Sequence, residues 1–336
     1  MPKERNLPPQ PNVVSHYTLT PDDLTKALSA DQCHKNGITG EGIVVGIVDS
    51  GFYAHKYFEI RKDEFKQKYK KSGWNLPTIA LPHVVSTGGD PKIDPEVDKS
   101  GHGTGMAANL LSLAPCVILR MYPVYSFMSS LEAAVEQCQI VSLSKHSDVT
   151  GHVLFEQKYK AALKTARENG KIVFHASGNG ISSPWPIANC PQEVIKVGGV
   201  HRRRDGTLEA SNYGSAHGST DKLPDICGLC GMAPAGAYIW LPADPNSNSD
   251  QQEYALGWNL ASGTSSATPQ VAGICALMLQ ARAKLGMPAL NAATAKSILR
   301  RTATAVSIGA SYDGVNANPK WCLLANAAKA VQLAVQ

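Results

Sequence analysis

Short apolar runs rich in Val and Ile alternate along the chain with segments of helical character. The predicted strands cover Ile43–Val48, Val117–Tyr122, Gln139–Leu143, Lys171–Ala176 and Val194–Val200, and the predicted helices between them cover Gly103–Leu113, Met128–Gln137 and Phe155–Asn169. Short apolar runs bounded by polar and glycine-rich positions are typical of buried strands. Their alternation with helices predicts an α/β fold of three layers, in which a mostly parallel, twisted β-sheet carries helices on both faces.

The N-terminal region carries two distinct signals. Residues 1–20 are rich in Pro and polar residues, which predicts a flexible leader. Thr20 offers a capping hydroxyl, Pro21 suits the first helical position, and the acids that follow favour the first turn of a helix. We expect this helix to run to about Lys35. No change of composition divides the rest of the chain, so residues 21–336 are predicted to form one domain.

Composition and charge exclude several classes of protein. The chain has 336 residues, of which 43% are hydrophobic and 18% are charged, as in an ordinary globular protein. The net charge of +5 is small, and the basic patches at 66–71 and 202–204 are too limited for a nucleic-acid surface. The longest apolar run, Val271–Leu279, is far shorter than the roughly 20 residues that a bilayer requires. We therefore expect no nucleic-acid partner and no membrane.

The start of the chain and its cysteines bear on the cellular compartment. The first residues lack the apolar segment of a secretory signal, which predicts a cytoplasmic protein or a fragment of a larger one. The eight cysteines are irregularly spaced and mostly lie in apolar runs. Cys227 and Cys230 form a lone C-x-x-C without a second pair at metal-site spacing, so we interpret them as small buried hydrophobes.

Polar groups suited to catalysis stand at three element boundaries. Asp49 follows the first predicted strand, within the sequence Val-Asp-Ser-Gly. His102 stands where an apolar helix begins, and Ser265 opens a long helix that is predicted to run to about Leu285. Because ligands of open α/β sheets bind beyond the carboxyl ends of the strands, the chemistry is expected at these boundaries.

These three motifs resemble those of the subtilisin-like serine proteases, the subtilases. The matching segments are, in chain order, Val48–Gly51, His102–Thr104 and Gly263–Pro269. They follow the family's order of Asp, then His, then Ser. The resemblance covers about residues 30–335 and implies the subtilisin-like form of the predicted fold. It also implies closing helices at Ile298–Ala303 and Leu323–Ala328.

The resemblance implies a catalytic role for each motif. A serine hydroxyl is a weak nucleophile until a base takes its proton, so Ser265 would be the nucleophile and His102 the general base and acid. Asp49 would orient His102 and stabilise its charged form. Asn179, which follows a predicted strand, would share the oxyanion hole with the backbone N–H of Ser265. The implied function is a serine endopeptidase that hydrolyses peptide bonds through an acyl-enzyme on Ser265.

By the same resemblance, two segments would bind the substrate as an extended backbone. The predicted substrate-binding residues are Ser142, Leu143, Ser144, Ala176, Ser177 and Gly178. Ser144 stands where relatives carry Gly, and its side chain is expected to narrow the pocket. The floor of the pocket is expected at Trp185-Pro186, and we predict a cis peptide bond between these two residues.

The sequence departs from compact members of the family in two places. A charged segment at about residues 56–96 is predicted to be a surface insertion, which acts as a lid, docks a partner or is mere decoration. The connection after the predicted helix of His102 is short, and calcium requires about six to eight oxygen ligands. We therefore predict no calcium there, and we expect no metal and no cofactor.

Two alternatives to the endopeptidase remain open. A subtilase-like peptide acyl-transferase or macrocyclase would share the acyl-enzyme, but an amine rather than water would resolve it. An inactive subtilase fold used as a binding module is the other alternative. A protein or peptide substrate is expected for either enzyme, and a regulatory protein partner is left open. We also hypothesise that residues 1–16 lie along the cleft as a stiff Pro-rich strand and dampen activity.

Overall fold

Strands and helices alternate through the part of the chain that the structure describes. This computed structural model describes residues 18–69, 78–80, 97–144, 153–179, 194–210, 224–231, 237–247, 257–307 and 321–336. The strands are β1 Thr18–Leu19, β2 Val44–Asp49, β3 Thr78–Ala80, β4 Ile118–Pro123, β5 Ile140–Leu143, β6 Ile172–Ala176, β7 Ile195–Arg202, β8 Leu208–Ala210, β9 Ile226–Leu229, β10 Tyr238–Pro242, β11 Trp258–Ala261, β12 Thr304–Ser307 and β13 Trp321–Leu324. The helices are α1 Pro21–Ala27, α2 Ala30–Lys35, α3 Lys56–Tyr69, α4 His102–Leu113, α5 Phe127–Gln137, α6 Val153–Glu168, α7 Thr264–Lys284, α8 Ala292–Thr302 and α9 Ala327–Ala334.

Most of the strands belong to one sheet. Within the described ranges its order is β12-β13-β9-β7-β6-β5-β2-β4-β3, with β8 paired to β7. The pairs from β13 through β3 are parallel, whereas β12 and β8 pair antiparallel to their neighbours. A small second sheet has the order β1-β10-β11. The predicted α/β fold with a mostly parallel sheet is confirmed, and each predicted strand is present to within two residues at either end.

Strand β2 lies where the order of the strands reverses, because β4 and β5 follow it in the sequence and flank it on opposite sides. Its side chains divide the core: Val45 and Ile47 pack with α4 and α7, whereas Val48 packs with α5 and α6. The connections β3–α4–β4 and β4–α5–β5 move the same way across the sheet, yet their helices cover opposite faces. One of the two crossovers is therefore left-handed, whereas crossovers between parallel strands are usually right-handed. The carboxyl end of β2, at Asp49, opens into the crevice where such folds bind ligands.

The N-terminal helix begins as predicted but ends early. The Thr20 hydroxyl accepts the N–H of Asp23, and the Asp23 carboxylate accepts the N–H of Thr20. The prediction of one continuous helix is wrong, because α1 and α2 are separated at Ser29, which has a φ of 59°. The break leaves the carbonyl of Leu28 outside a helical ladder, where it accepts the N–H of Ala327 at 2.8 Å. The interruption thus docks α9 onto the N-terminal helices.

The C-terminal region shows a second correction. The helix predicted at Ile298–Ala303 coincides with the end of α8. The helix predicted at Leu323–Ala328 is wrong in its first part, because β13 pairs there with β12 and with β9. Burial of Leu324 in the core favours the strand over helical continuity. Asn326 then caps α9 by accepting the N–H of Lys329.

Several predictions concern residues outside the described ranges. These are the leader up to residue 17, the peptide bond between Trp185 and Pro186, and much of the segment at 56–96. The first part of that segment forms α3, in which Tyr57 and Ile60 are buried. The segment therefore begins as a packed element of the domain rather than as a surface loop.

Two further findings concern the described helices and cysteines. Among the described helices, none has the length and apolarity needed to cross a bilayer. The described cysteines, including Cys227 and Cys230, are buried and form no disulfide with one another, as expected of small hydrophobic residues. Burial raises the pKa of Cys33 to about 12 and that of Cys116 to about 11, so both remain thiols at neutral pH.

Candidate active site

The carboxylate of Asp49 is completely buried at the end of β2. Its Oδ1 accepts the backbone N–H of Ser50 at 2.7 Å and lies 2.6 Å from Nδ1 of His102. The imidazole of His102 is only partly covered, with 29% of its side chain exposed. Because the acceptor is a carboxylate, we assign the proton to Nδ1, which leaves a lone pair on Nε2. Two of the predicted catalytic side chains are therefore in direct contact.

Glycine is required where the two motifs meet. A Cβ on Gly103 would lie 2.2 Å from the carbonyl oxygen of Gly51, and one on Gly51 would lie 2.3 Å from the carbonyl oxygen of Val97. Gly51 also has a φ of 137°, which other residues rarely adopt. The turn that follows Asp49 and the turn that carries His102 therefore pack backbone against backbone.

Side chains from outside α4 bind its first N–H groups, because its N-cap residue is a glycine. The Ser50 hydroxyl accepts the N–H of Gly103 at 2.9 Å. The Asp98 carboxylate accepts the N–H of Thr104 at 2.8 Å and its hydroxyl at 2.6 Å. These bonds satisfy donors that have no acceptor within the first turn of a helix. His102, the first residue of α4, thus stands on a fixed backbone.

The motifs did not reveal Asp98, which is completely buried beside Asp49. Its only signal in the sequence is an acidic residue shortly before the predicted start of a helix, where acids favour the N–H groups of the first turn. That signal indicates a cap and says nothing of the contact with Ser50, because Ser50 lies far away in the sequence.

Helix α7 begins at another glycine in an unusual conformation. Gly263 has a φ of 89°, and a Cβ there would lie 2.8 Å from Nδ2 of Asn179. Oδ1 of Asn179 accepts the N–H and the hydroxyl of Thr264, at 2.9 and 3.0 Å. Since these two donors occupy the oxygen, the Nδ2 group of the exposed Asn179 side chain is left as a donor beside the start of α7.

Ser265 exchanges two hydrogen bonds with Ser144. The Ser265 hydroxyl donates to the Ser144 carbonyl at 2.9 Å, and the Ser144 hydroxyl donates to the Ser265 carbonyl at 3.0 Å. The Ser265 carbonyl has no helical partner because Pro269, four residues on, has no N–H. The side chain of Ser144 therefore replaces a missing helical bond. Within the described residues the Ser265 hydroxyl makes no hydrogen bond to His102.

Helices α4 and α7, which carry the predicted base and nucleophile, pack directly against each other. A Cβ on Gly273 would lie 3.0 Å from Cβ of Leu113 and 3.1 Å from the carbonyl oxygen of Leu110. The buried amide of Gln270 donates to Asn109 of α4 at 3.1 Å and to a carbonyl of β9 at 2.9 Å. Close backbone approach and a buried polar bridge thus hold the two helices in register.

The predicted substrate-binding residues divide into two groups. Ser144 contacts Ser265, and the N–H of Gly178 donates to the hydroxyl of Thr264 at 3.3 Å, so both lie at the start of α7. Ser142 and Leu143 are completely buried in β5, which pairs with β2 on one side and β6 on the other. Both edges of β5 are thus paired within the sheet along these residues, and their role in substrate binding stays a prediction.

The facing segment, residues 176–178, leaves β6 toward the start of α7. Ala176 is 2% exposed and pairs with Val197 of β7. The N–H of Ser177 donates to the carbonyl of Val197 at 2.9 Å. The backbone of this segment is therefore paired within the sheet up to Ser177, and its role as a wall of the substrate pocket stays a prediction.

Comparison with known proteins identifies the family to which this chain belongs. The sequence model of the subtilase family matches residues 40–321, and the chain belongs to that family. It is 29% identical over 290 residues to the serine protease AprX of Bacillus subtilis (strain 168). The match covers 77% of this chain and 62% of AprX, so the chain spans less than two thirds of that relative.

Two solved structures share the fold. A lanthipeptide protease has a TM-score of 0.60 and 19% identity, with 91% of this chain and 92% of that chain covered. The prenylagaramide maturation protease PagA has a TM-score of 0.57 and 20% identity, with 91% and 98% covered. At these identities the likeness shows the subtilase fold alone.

Proposed function

We propose that this chain is a serine endopeptidase that cleaves protein or peptide substrates through an acyl-enzyme on Ser265. The observation that carries the proposal is the 2.6 Å contact between Nδ1 of His102 and the buried carboxylate of Asp49. A buried carboxylate bound to a partly exposed imidazole is the arrangement that gives a serine its base. Membership of the subtilase family supports the same assignment.

His102 acts first as general base and then as general acid. Its Nδ1 proton is held by Asp49, so the lone pair of Nε2 is available for the proton of the Ser265 hydroxyl. That hydroxyl is donated to Ser144 in the structure, so a rotation about the Cα–Cβ bond of Ser265 precedes attack. Asp49 keeps the ring in the required tautomer and stabilises the imidazolium that forms.

The Nδ2 group of Asn179 and the backbone N–H of Ser265 stabilise the oxyanion. Thr264 holds the oxygen of the Asn179 amide through two hydrogen bonds, which orients Nδ2 as the donor. The N–H of Ser265 lies in the first turn of α7, where backbone donors have no helical acceptor. Donors that are fixed before the reaction stabilise the charge that develops in the transition state.

Labelling with a fluorophosphonate probe, read by intact-protein mass spectrometry, tests the proposal. We expect wild-type protein to gain the mass of the phosphonyl group and the Ser265→Ala variant to gain none. Ser266→Ala is a matched control, because Ser266 is the next residue of the same helix and is completely buried. A folded wild-type protein that resists the probe would contradict the proposal and favour the binding-module alternative.

Digestion of a peptide library separates the two enzymatic alternatives. Hydrolysed fragments are expected if water resolves the acyl-enzyme. Joined or cyclised peptides would assign the same acyl-enzyme to acyl transfer, the alternative in which an amine takes the place of water. Mass spectrometry of the products distinguishes the two outcomes and also records the side chains at the cleavage site.

A further inference from the structure

A second buried carboxylate lies behind the contact between Asp49 and His102. Asp98 is completely buried, and the mechanism proposed above does not use it. Its Oδ2 accepts both donors of Thr104, and its Oδ1 accepts the hydroxyl of Ser50 at 2.7 Å. Ser50 follows Asp49 directly in the chain, so Asp98 reaches both catalytic turns at once.

The single proton of the Ser50 hydroxyl decides how these groups are connected. The hydroxyl oxygen lies 2.7 Å from Oδ1 of Asp98 and 3.2 Å from Oδ1 of Asp49, so the shorter and stronger bond is to Asp98. The same oxygen accepts the N–H of Gly103 at 2.9 Å. Donation to Asp98 therefore keeps this hydroxyl from competing closely with His102 for Oδ1 of Asp49.

We propose that Asp98 is a positioning residue for the reaction proposed above, on which this inference rests. It draws the Ser50 proton away from Asp49 and anchors the first turn of α4 through Thr104. Oδ1 of Asp49 thereby keeps its bonds to the N–H groups of His102 and Ser50 without a competing hydroxyl, and the Ser50 oxygen binds the N–H of Gly103 next to the histidine. Asp98 does not touch the reacting atoms and acts through Ser50 and Thr104.

The charge of Asp98 also affects the electrostatic potential at the protein surface near the site. Partial burial raises the pKa of the exposed Tyr125, and the negative charges of Asp98 and Asp49 raise it further. Two carboxylates therefore contribute negative potential to the same region. Negative potential of this kind favours the protonated form of a neighbouring imidazole.

Asp98→Asn is the most direct test because it keeps the shape of the side chain. The amide oxygen can still accept the two donors of Thr104, which turns the amide N–H groups toward Ser50. The Ser50 hydroxyl must then donate to Asp49, and the charge of Asp98 is lost. Both changes weaken the stabilisation of protonated His102. We expect kcat to fall about tenfold with KM unchanged, as for a lost bond to a charged group.

The pH profile supplies a readout that a purely structural role would not move. The acid limb of kcat/KM reports loss of the neutral imidazole that acts as base. Loss of the negative charge of Asp98 should move this limb to lower pH in Asp98→Asn, whereas a purely structural role would leave it in place. Circular dichroism and a thermal melt establish that the variant is folded.

A double-mutant cycle tests whether Asp98 acts through Ser50. Ser50→Ala removes the acceptor of the Gly103 N–H, which helps to hold the first turn of α4, so it should itself lower kcat about tenfold, again without a change in KM. Asp98→Asn added to Ser50→Ala should then cost about threefold or less, because the hydroxyl that transmits the effect is gone. Asp23→Asn is a matched control, since Asp23 also accepts an N–H and a hydroxyl at a helix start but caps α1. It should leave kcat and the acid limb unchanged.

Wild-type kcat and an unmoved acid limb in folded Asp98→Asn would overturn the inference. An undiminished tenfold loss on the Ser50→Ala background would do the same. If Asp98→Asn does not fold, Ser50→Ala decides, since a folded Ser50→Ala protein with wild-type kcat contradicts the inference. Fluorophosphonate labelling of wild type and Ser265→Ala separates these outcomes from failure of the proposed function, because labelling does not depend on Asp98 having a role.

Discussion

Helices α4 and α7 begin in similar ways but are held by different chemistry. Each follows a glycine of positive φ, at 68° for Gly101 and 89° for Gly263, and neither glycine has a side chain to cap its helix. Helix α4 takes its caps from the buried side chains of Ser50 and Asp98. Helix α7 takes its cap from the exposed side chain of Asn179.

In the proposed mechanism, this difference separates a side chain that is already in place from one that must still rotate. His102 already bonds to Asp49, whereas the Ser265 hydroxyl bonds to the Ser144 carbonyl. A buried carboxylate makes strong, charge-assisted bonds that hold α4 and its histidine in one arrangement. The cap of α7 is a neutral, exposed amide, which makes no such charge-assisted bond. We expect the bond between His102 and Asp49 to be present before substrate binds. The Ser265 hydroxyl is expected to turn to His102 only afterwards.

The largest effect on kcat is expected from replacing either Ser265 or His102. Ser265→Ala and His102→Ala should each lower kcat by about 10⁶, because nucleophile and base act as one unit. The double variant should therefore lose no more than either single variant. Steady-state assays on one cleavable peptide measure this, and losses that multiply in the double variant would contradict a shared step.

Asp49→Asn should cost about 10⁴ in kcat, which is less than the loss of either partner. The amide carries no negative charge, so it cannot stabilise the imidazolium that forms on His102 during the reaction. The matched control is Asp31→Asn, since Asp31 pairs with Lys35 on the exposed side of α2. Wild-type activity in a folded Asp49→Asn protein would contradict the statement that Asp49 holds His102 ready for the reaction.

Asn179→Ala should lower kcat by about 10²–10³ and leave KM nearly unchanged, because the Nδ2 donor acts in the transition state. Loss of the cap on α7 should also destabilise the fold by about 1 kcal/mol. Asn326→Ala separates the two effects, since Asn326 likewise caps a helix, α9. It should lower the melting temperature similarly while kcat stays at the wild-type value. An equal loss of kcat in both variants would assign the Asn179 effect to stability.

The smallest effects are expected from alanine at two glycines of α4. Gly103→Ala places a methyl group 2.2 Å from the Gly51 carbonyl and should destabilise the fold by about 1–3 kcal/mol. Gly105→Ala meets the end of the Leu241 side chain at 3.2 Å, and alanine favours a helix by up to about 1 kcal/mol. Thermal melts should separate the two variants, and equal melting temperatures would deny that the two catalytic turns pack tightly.

The parts of the site that were predictable from the sequence are contiguous in it. Asp49 follows an apolar segment and His102 precedes one. The spacing of apolar residues indicates the strand or helix in each case, and a neighbouring glycine indicates the turn. The start of α7 was predictable for the same reason. Asn179 also follows a strand directly, so a short segment contains both the element and the side chain.

Tertiary contacts decided the features for which no local pattern exists. Asp98 serves α4 and Ser50 at once, and Ser144 satisfies a carbonyl that Pro269 leaves without a partner. The break at Ser29 and the strand β13 likewise depend on docking against distant elements. The local sequence determined which groups the site contains and where each element begins. The tertiary structure decided which oxygen each donor binds, because buried polar groups are paired across the fold wherever a partner comes within reach.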